Sequence, residues 1–290
     1  VKPAPFEYVR VASVAEAVDR LSRYDGNARC LAGGQSLVPL LNMRLMRPSA
    51  VIDLNPVREL DGIRPEPGSV RVRALTRYST LEYSSIVAER LPLLARAVPL
   101  VGDRQVRNRG TLGGALCHAD PAGEMALVAV TLDASLRAEG PTGPREIPAD
   151  RFFAGPYTTA LGPADVLTDV VFPDHGGSTA VVIEHARRHG DFAIVSVAAV
   201  GWRRADGAWE RIALGLGGAG DRPVHARRAS LSLAGSQLEP ARIEAAAALA
   251  ADDADPASDV RASGEYRRHL IRVHVERALT ALATGGQAPR

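Results

Sequence analysis

Two glycine pairs constrain this chain more than any other feature in it. Gly33-Gly34 ends the short strand pattern Ala28 to Ala32, and Gly113-Gly114 recurs later in a segment of similar form, Thr111-Leu112-Gly113-Gly114-Ala115. A residue without Cβ takes positive φ at no steric cost and lets other atoms approach its backbone closely. The first pair breaks a short buried strand. Gln35-Ser36 then stands where a helix N-cap is expected, ahead of Leu37, Leu40, Leu41 and Leu45 at helical spacing. A glycine turn entering a helix presents unpaired N–H groups and a partial positive charge, so two such turns suit a diphosphate clamped from two sides. Each turn is also explained as a tight reversal between strand and helix, and a lone glycine pair does not choose between these readings.

Other phosphate-binding patterns are missing. No GxGxxG follows a strand and no GxxxxGK[ST] occurs, which argues against the usual dinucleotide fold and a nucleoside triphosphatase. At 290 residues and 46% hydrophobic, the chain has material for about two cored domains. Lys plus Arg is 35 against 33 acidic residues, so the net charge of +2 points away from nucleic acid. No run of about 18 apolar residues exists to span a membrane. The first ten residues carry Lys2, Glu7 and Arg10, unlike a secretory leader, and a cytoplasmic protein is expected. Cys30 and Cys117 are too few for an iron–sulfur cluster and lack the CxxC spacing of zinc sites. They read as small buried side chains or free thiols.

The pattern along the chain is α+β. Ser13 to Glu16 is a capping box ahead of a helix to about Tyr24. Strands are expected over 51–54 and 70–75, a helix capped by Ser79 or Thr80 to about Ala88, and helices over 93–100 and 125–133. Strands at 136–138, 145–147 and 166–172 follow. The stretch Pro173 to Ser178 reads as a linker. Beyond it come strands at 179–184, 193–203 and 209–216, the last two joined through Asp206-Gly207, then helices over 241–251 and within 260–283.

Between the second glycine pair and the next helix lies His118-Ala119-Asp120-Pro121-Ala122-Gly123-Glu124. Asp120 and Glu124 are acceptors suited to ribose hydroxyls, or caps for that helix. His118 beside Cys117 reads as a structural or hydrogen-bonding residue, with a Cys–His catalytic role the lesser alternative. Arg104, Arg107 and Arg109 flank a glycine turn, and Arg267, Arg268, Arg272 and Arg277 lie on the last helix. These are either a docking surface for acidic partners and anionic acceptors or a solvated face.

At this point the residues carry a likeness. Ala32-Gly33-Gly34-Gln35-Ser36-Leu37 with Thr111-Leu112-Gly113-Gly114 resembles the FAD-binding medium subunits of the molybdenum hydroxylases, of the carbon monoxide dehydrogenase and xanthine dehydrogenase type. Val51-Ile52-Asp53-Leu54, the stretch Gly102 to Gly110, His118-Ala119-Asp120-Pro121, the stretch Arg187 to Ala193 and the stretch Ser258 to Arg268 fit in the same order.

The resemblance implies a two-part FAD-binding domain of the vanillyl-alcohol-oxidase/PCMH type over 1–175. A smaller C-terminal domain over 176–290, with a three-stranded antiparallel sheet and helices, would follow it. It implies noncovalent FAD on Ala32, Gly33, Gly34, Gln35, Ser36, Leu37, Thr111, Leu112, Gly113, Gly114 and Ala115, with Asp120 and Glu124 beside them. Leu167 would meet the adenine end through its backbone. Phe192 would cover the isoalloxazine, where the alternative is an ordinary core aromatic. No metal and no catalytic side chain are implied, because the flavin carries the chemistry. The subunit would pass electrons from an iron–sulfur subunit, fed by a molybdenum-cofactor subunit, to a terminal acceptor such as NAD, quinone or oxygen. The alternative is a free-standing FAD-dependent oxidoreductase acting on a small molecule. Two departures stand out: Glu184 where a lysine is common, and Ala115 where a serine is frequent.

Overall fold

A computed structural model describes residues 2–188 and 190–285. Val1, His189 and residues 286–290, which belong to the two expected domains and to the 187–193 motif, lie outside the described residues.

The chain begins with a parallel three-stranded sheet of β1 (Glu7–Arg10), β2 (Ala28–Leu31) and β3 (Ala50–Asp53), in the order β1-β3-β2. All four residues of the central β3 are buried, as expected for a parallel strand covered on both faces. The helix Val14–Ser22 covers one face with Ala17, Val18 and Leu21. Ser13 Oγ accepts from the Glu16 N–H at 3.1 Å, while the Glu16 carboxylate takes the Ala12 N–H at 2.9 Å. β1 has no counterpart in the sequence reading: its Glu-Tyr-Val-Arg pattern is mostly exposed, and only pairing with β3 makes it a strand.

A five-stranded antiparallel sheet comes next. Its strands are β4 (Ile63–Glu66), β5 (Ser69–Arg73), β6 (Ser135–Gly140) and β7 (Gly143–Pro148). After the small hairpin β8 (Phe153–Gly155) and β9 (Thr158–Thr159) it is completed by β10 (Val166–Pro173), giving the order β4-β5-β10-β6-β7. Val70, Val72, Leu136, Val170 and Phe172 form one core with residues of the helices Pro92–Ala97, Leu112–His118 and Glu124–Thr131. The single helix expected to 88 is two, Tyr78–Glu82 and Ser85–Arg90. Ser84 restarts it by accepting from the Val87 N–H at 3.3 Å.

The segment 173–178 is pinned rather than loose: Asp174 pairs with Arg90 at 2.5 Å, and the buried His175 lies 3.3 Å from the Leu132 carbonyl. It leads into an antiparallel sheet of β11 (Thr179–His185), β12 (Val195–Arg203) and β13 (Trp209–Gly217), with a two-residue edge strand, β14 (Val224–His225). Ala180, Ala198 and Val200 point into the core of the preceding region. Val181, Val197, Ala199, Leu214 and Leu216 pack with the helices Arg227–Ser232, Pro240–Asp252 and Gly264–Ala283. Burial of both faces explains why β12 reads as a mostly apolar run. The long helix starts at Gly264, because Ser263 caps it by accepting from the Tyr266 N–H at 3.1 Å. No described helix is long and apolar enough to cross a membrane.

Candidate functional site

The first glycine loop leaves β2 at Leu31, whose carbonyl accepts from the Leu54 N–H at 3.0 Å. Gly33 is buried, and a Cβ there would strike the carbonyl oxygen of Arg109, which ends the helix Arg104–Arg109 just before the second loop. Gly34 has φ +76°, a conformation that costs an L side chain and suits glycine. Among the described residues no protein acceptor takes the N–H groups of Ala32, Gly33, Gly34, Gln35, Ser36 or Leu37, of which only Gly33 is buried. Gln35 is exposed and its amide nitrogen reaches the Gly33 carbonyl at 3.3 Å. Two expectations fail here. Ser36 makes no side-chain cap, and the helix runs only over Leu37–Asn42, leaving Met43 and Leu45 exposed and Leu41 as its buried residue. So short a helix brings little dipole, and the anion-binding capacity lies in the row of free N–H groups.

The second loop is built differently. Leu112 N–H donates to the Thr76 carbonyl at 3.1 Å and Gly113 N–H to the Ala74 carbonyl at 2.8 Å. Gly114 N–H donates to Thr111 Oγ1 at 3.1 Å, and Ala115 N–H to the Thr111 carbonyl at 3.1 Å. Only Thr111 keeps an N–H without a protein acceptor among the described residues, and its hydroxyl hydrogen remains available to donate. The second glycine pair thus spends its N–H groups within the protein, contrary to the expectation that both pairs offer them. A Cβ on Gly114 would lie 2.7 Å from Thr111 Oγ1 and 3.6 Å from Ala32 Cβ, so the two loops touch.

Beyond the second loop, Ala119 takes a left-handed turn and its carbonyl accepts from the Tyr157 N–H at 2.9 Å. Asp120 Oδ1 accepts from the Ala122 N–H at 2.9 Å, closing its own turn rather than capping the next helix, whose N-cap is Gly123. His118 packs against Tyr157 with ring centroids 5.1 Å apart and the rings tilted by 45°, and burial, against the pull of Asp120, holds its pKa below the ordinary value. Cys117 is exposed and Cys30 half-buried, both free thiols. The Pro121 carbonyl accepts from the Gly218 N–H at 2.9 Å, so the end of β13 meets this segment. An open cleft of about 840 Å³ lies here, lined by Asp120, Tyr157, Arg222 and Arg261 among others.

Comparison with known proteins decides what this site belongs to. Residues 4–175 match the family model described as the FAD binding domain in molybdopterin dehydrogenase, and residues 182–282 match the CO dehydrogenase flavoprotein C-terminal domain. The chain belongs to the FAD-binding medium subunits of the molybdenum hydroxylases. It is 37% identical to the 6-hydroxypseudooxynicotine dehydrogenase complex subunit alpha of Paenarthrobacter nicotinovorans, over 96% of this chain and 95% of that one. It is 36% identical to the carbon monoxide dehydrogenase medium chain of Hydrogenophaga pseudoflava, over 96% and 97%. Among solved structures, carbon monoxide dehydrogenase from the same organism superposes with TM-score 0.95 at 36% identity, covering 99% of this chain and 100% of that one. Quinoline 2-oxidoreductase from Pseudomonas putida 86 superposes with TM-score 0.93 at 35% identity, over 98% and 99%. This medium subunit therefore has the two-domain PCMH-type fold and binds FAD. The residues present fit that cofactor: six successive N–H groups without a protein acceptor among the described residues stand where the two loops touch, donors suited to a diphosphate.

The medium subunit's C-terminal motifs meet in space. Phe192, on the loop between β11 and β12, is 58% exposed, which removes the core-aromatic alternative. Its carbonyl accepts from Arg261 at 3.1 Å, and the buried Arg267 bonds both the Ile194 carbonyl and Asp259, the latter at 2.8 Å. Arg267 is therefore a structural tie and not part of a basic surface. Arg107 is likewise spent on Glu82 at 2.9 Å, and Arg272 on Glu244 and Glu276. Leu167 is buried, paired with Ala138 beside a bulge in β10. Glu184 has a buried Oε1 without a partner among the described residues, and so has Ser196 Oγ, directly across the ladder. Burial first, then the nearby Glu124 carboxyl, pushes the Glu184 carboxyl from 4.5 up to about 8. Burial also raises Glu124, with Asp120 adding to it and the Glu124 N–H opposing.

Sequence reasoning missed Asn55 and Arg77. Asn55 Nδ2 donates to the Ala32 carbonyl at 2.9 Å, and Arg77 bonds both Asn55 and the Arg109 carbonyl. A polar residue after a strand, and an arginine two dozen residues on, give no pattern that links them to either glycine pair.

Proposed function

We propose that this chain holds FAD noncovalently, with the diphosphate on the N–H groups of Ala32 to Leu37 and on Thr111, which donates its own N–H and hydroxyl. The observation that carries the reading is that row of unpaired donors at the junction of the loops. Leu112, Gly113, Gly114 and Ala115 shape the other wall by packing. Asp120 and Glu124 accept from the ribitol or ribose hydroxyls, the Leu167 backbone borders the adenine, and Phe192 lies over the isoalloxazine and keeps water from it. FAD, when bound, supplies the redox chemistry. The domain that holds it comprises 1–175, and the C-terminal domain 176–290.

The relatives' names describe subunits and chains of larger dehydrogenases. On that basis the subunit takes electrons from an iron–sulfur subunit served by a molybdenum-cofactor subunit, in the cytoplasm, and delivers them to a terminal acceptor of the NAD, quinone or oxygen class. Phe192 and its exposed loop bound the face through which that acceptor reaches the ring. The visible spectrum of the chain purified alone tests the first part: flavin bands without cluster bands are expected. Phe192→Ala should alter the flavin spectrum or its reoxidation by oxygen while stability moves by less than about 0.5 kcal/mol, as for other exposed positions. Unchanged spectrum and reoxidation would place the side chain away from the ring. Coexpression with the neighbouring genes tests the partners. A chain that stays alone and turns over a small molecule by itself would favour the free-standing enzyme.

A further inference from the structure

The two loops of the site are distant in sequence, and the cradle exists only while they stay in register. We infer that Arg77 is the positioning residue that fastens the two glycine loops into one diphosphate cradle, with Asn55 as its relay. This rests on reading the loops as the diphosphate site. Asn55 follows β3 and is held on Asp53 Oδ1 by its backbone N–H at 3.0 Å and its side-chain amide at 2.6 Å. Asp53 is itself fixed by the Tyr8 hydroxyl at 2.6 Å. From that anchor Asn55 Nδ2 donates to the Ala32 carbonyl at 2.9 Å, while Asn55 Oδ1 accepts from Arg77 Nη2 at 2.5 Å. Arg77 Nη1 donates to the Arg109 carbonyl, two residues before Thr111.

The consequence follows from peptide geometry. In a trans peptide the C=O and the following N–H point opposite ways. Tying the Ala32 carbonyl to Asn55 turns the Gly33 N–H away from the network, which frees it for a ligand. Holding the Arg109 carbonyl keeps the second loop against Gly33, where no Cβ would fit. The task needs a planar fork that donates in two directions, which a lysine ammonium does not reproduce. Charge adds to it: burial, then the neighbouring Arg109 cation, pulls the Arg77 guanidinium below its ordinary pKa, opposed by Asp61 and Asp53. Two adjacent cations at the junction are relieved by an anion.

The test uses the full chain, stripped of flavin, with FAD, ADP and riboflavin titrated separately by calorimetry or fluorescence, and apoprotein melting as a control. Arg77→Gln should weaken FAD and ADP by about tenfold or more, the size expected for losing charge-assisted hydrogen bonds. Riboflavin, which lacks the diphosphate, should bind as to the parent chain. Arg77→Lys should recover part of the loss, through charge alone. Asn55→Ala should reproduce the FAD and ADP loss, and it carries the test if Arg77→Gln does not fold. Parent-like FAD and ADP affinity in these variants overturns the inference, as does an equal loss for riboflavin, which would mark general loosening. If the parent chain binds FAD but gains nothing from the diphosphate, with ADP unbound and riboflavin as tight as FAD, the diphosphate reading fails before the bridge does.

Discussion

In the first glycine loop six successive N–H groups, Ala32 to Leu37, meet no described protein acceptor, whereas in the second Leu112, Gly113, Gly114 and Ala115 all donate within the protein. The spelling is the same and the physics is not. Gly34 has φ +76°, a conformation that costs an L side chain. Gly113 needs the absence of Cβ because Ala74 presses on it, at 2.6 Å from where that carbon would lie. The first pair divides: Gly34 is conformational, whereas Gly33 is steric because a Cβ there would strike the Arg109 carbonyl oxygen. The second pair is steric and lets a helix start lie flat on the β5 end. A cradle made this way has a polar wall and a packed wall, and the packed wall holds the polar one in place.

That contrast separates two substitutions. Gly113→Ala forces a methyl against Ala74 Cβ and its carbonyl oxygen at 2.7 Å, both rigid. The overpacking should cost about 1–3 kcal/mol, seen as a lower urea midpoint with or without flavin. Gly34→Ala should cost only about 1 kcal/mol in the apoprotein, from positive φ, but should weaken FAD well beyond that because the N–H row is re-aimed. If Gly34→Ala proves the more destabilising of the two in apoprotein, the division between conformational and steric glycines is wrong. Next in size is Thr111. Its Oγ1 caps the Leu112–His118 helix through Gly114 N–H. Thr111→Val should lose about 1 kcal/mol of stability, and Thr111→Ser should keep most of it. FAD affinity should follow the hydroxyl rather than the side-chain volume, and equal affinity in the two variants would remove Thr111 from the polar wall.

What the sequence shows of this molecule is mostly local. Ser13 announces its helix because a cap is decided by neighbours three residues away, whereas the sequence reading gives the last helix no cap and the second loop no helix of its own. The mostly apolar runs of β3 and β12 are legible because burial on both faces leaves few polar positions, Asp53 and Ser196 among them. The misses are non-local. β1 is a strand only through β3, and the break at Ser84 is masked by apolar residues on both sides. Arg107 and Arg267 look like surface charge until Glu82, Asp259 and the Ile194 carbonyl arrive from elsewhere in the chain. At the site, both glycine pairs could be found from residue type alone. Which of them keeps its N–H groups free depends on Ala74 and Thr76, from another strand end. The bridge through Asn55 and Arg77 depends on three segments at once.

The smallest expected effect concerns Glu184, on β11 of the C-terminal sheet. Its carboxyl is raised from 4.5 to about 8 by burial and by Glu124. A carboxyl raised in the folded state is protonated there while the unfolded chain has already lost its proton. Its contribution to stability is therefore complete below about pH 4.5 and is lost as the pH climbs through about 8. Glu184→Gln keeps the shape and cannot ionise. At pH 5 the variant and the parent apoprotein should melt together. At pH 9 the variant should melt higher, by about 2 °C once partial exposure and relaxation are allowed for. An unchanged difference between the two pH values would mean that Glu184 is ionised throughout and paired in a way its orphaned Oε1 does not suggest. The glycine loops give the contrast its control: Gly34→Ala and Gly113→Ala involve no titrating group, so their stability costs should be the same at both pH values.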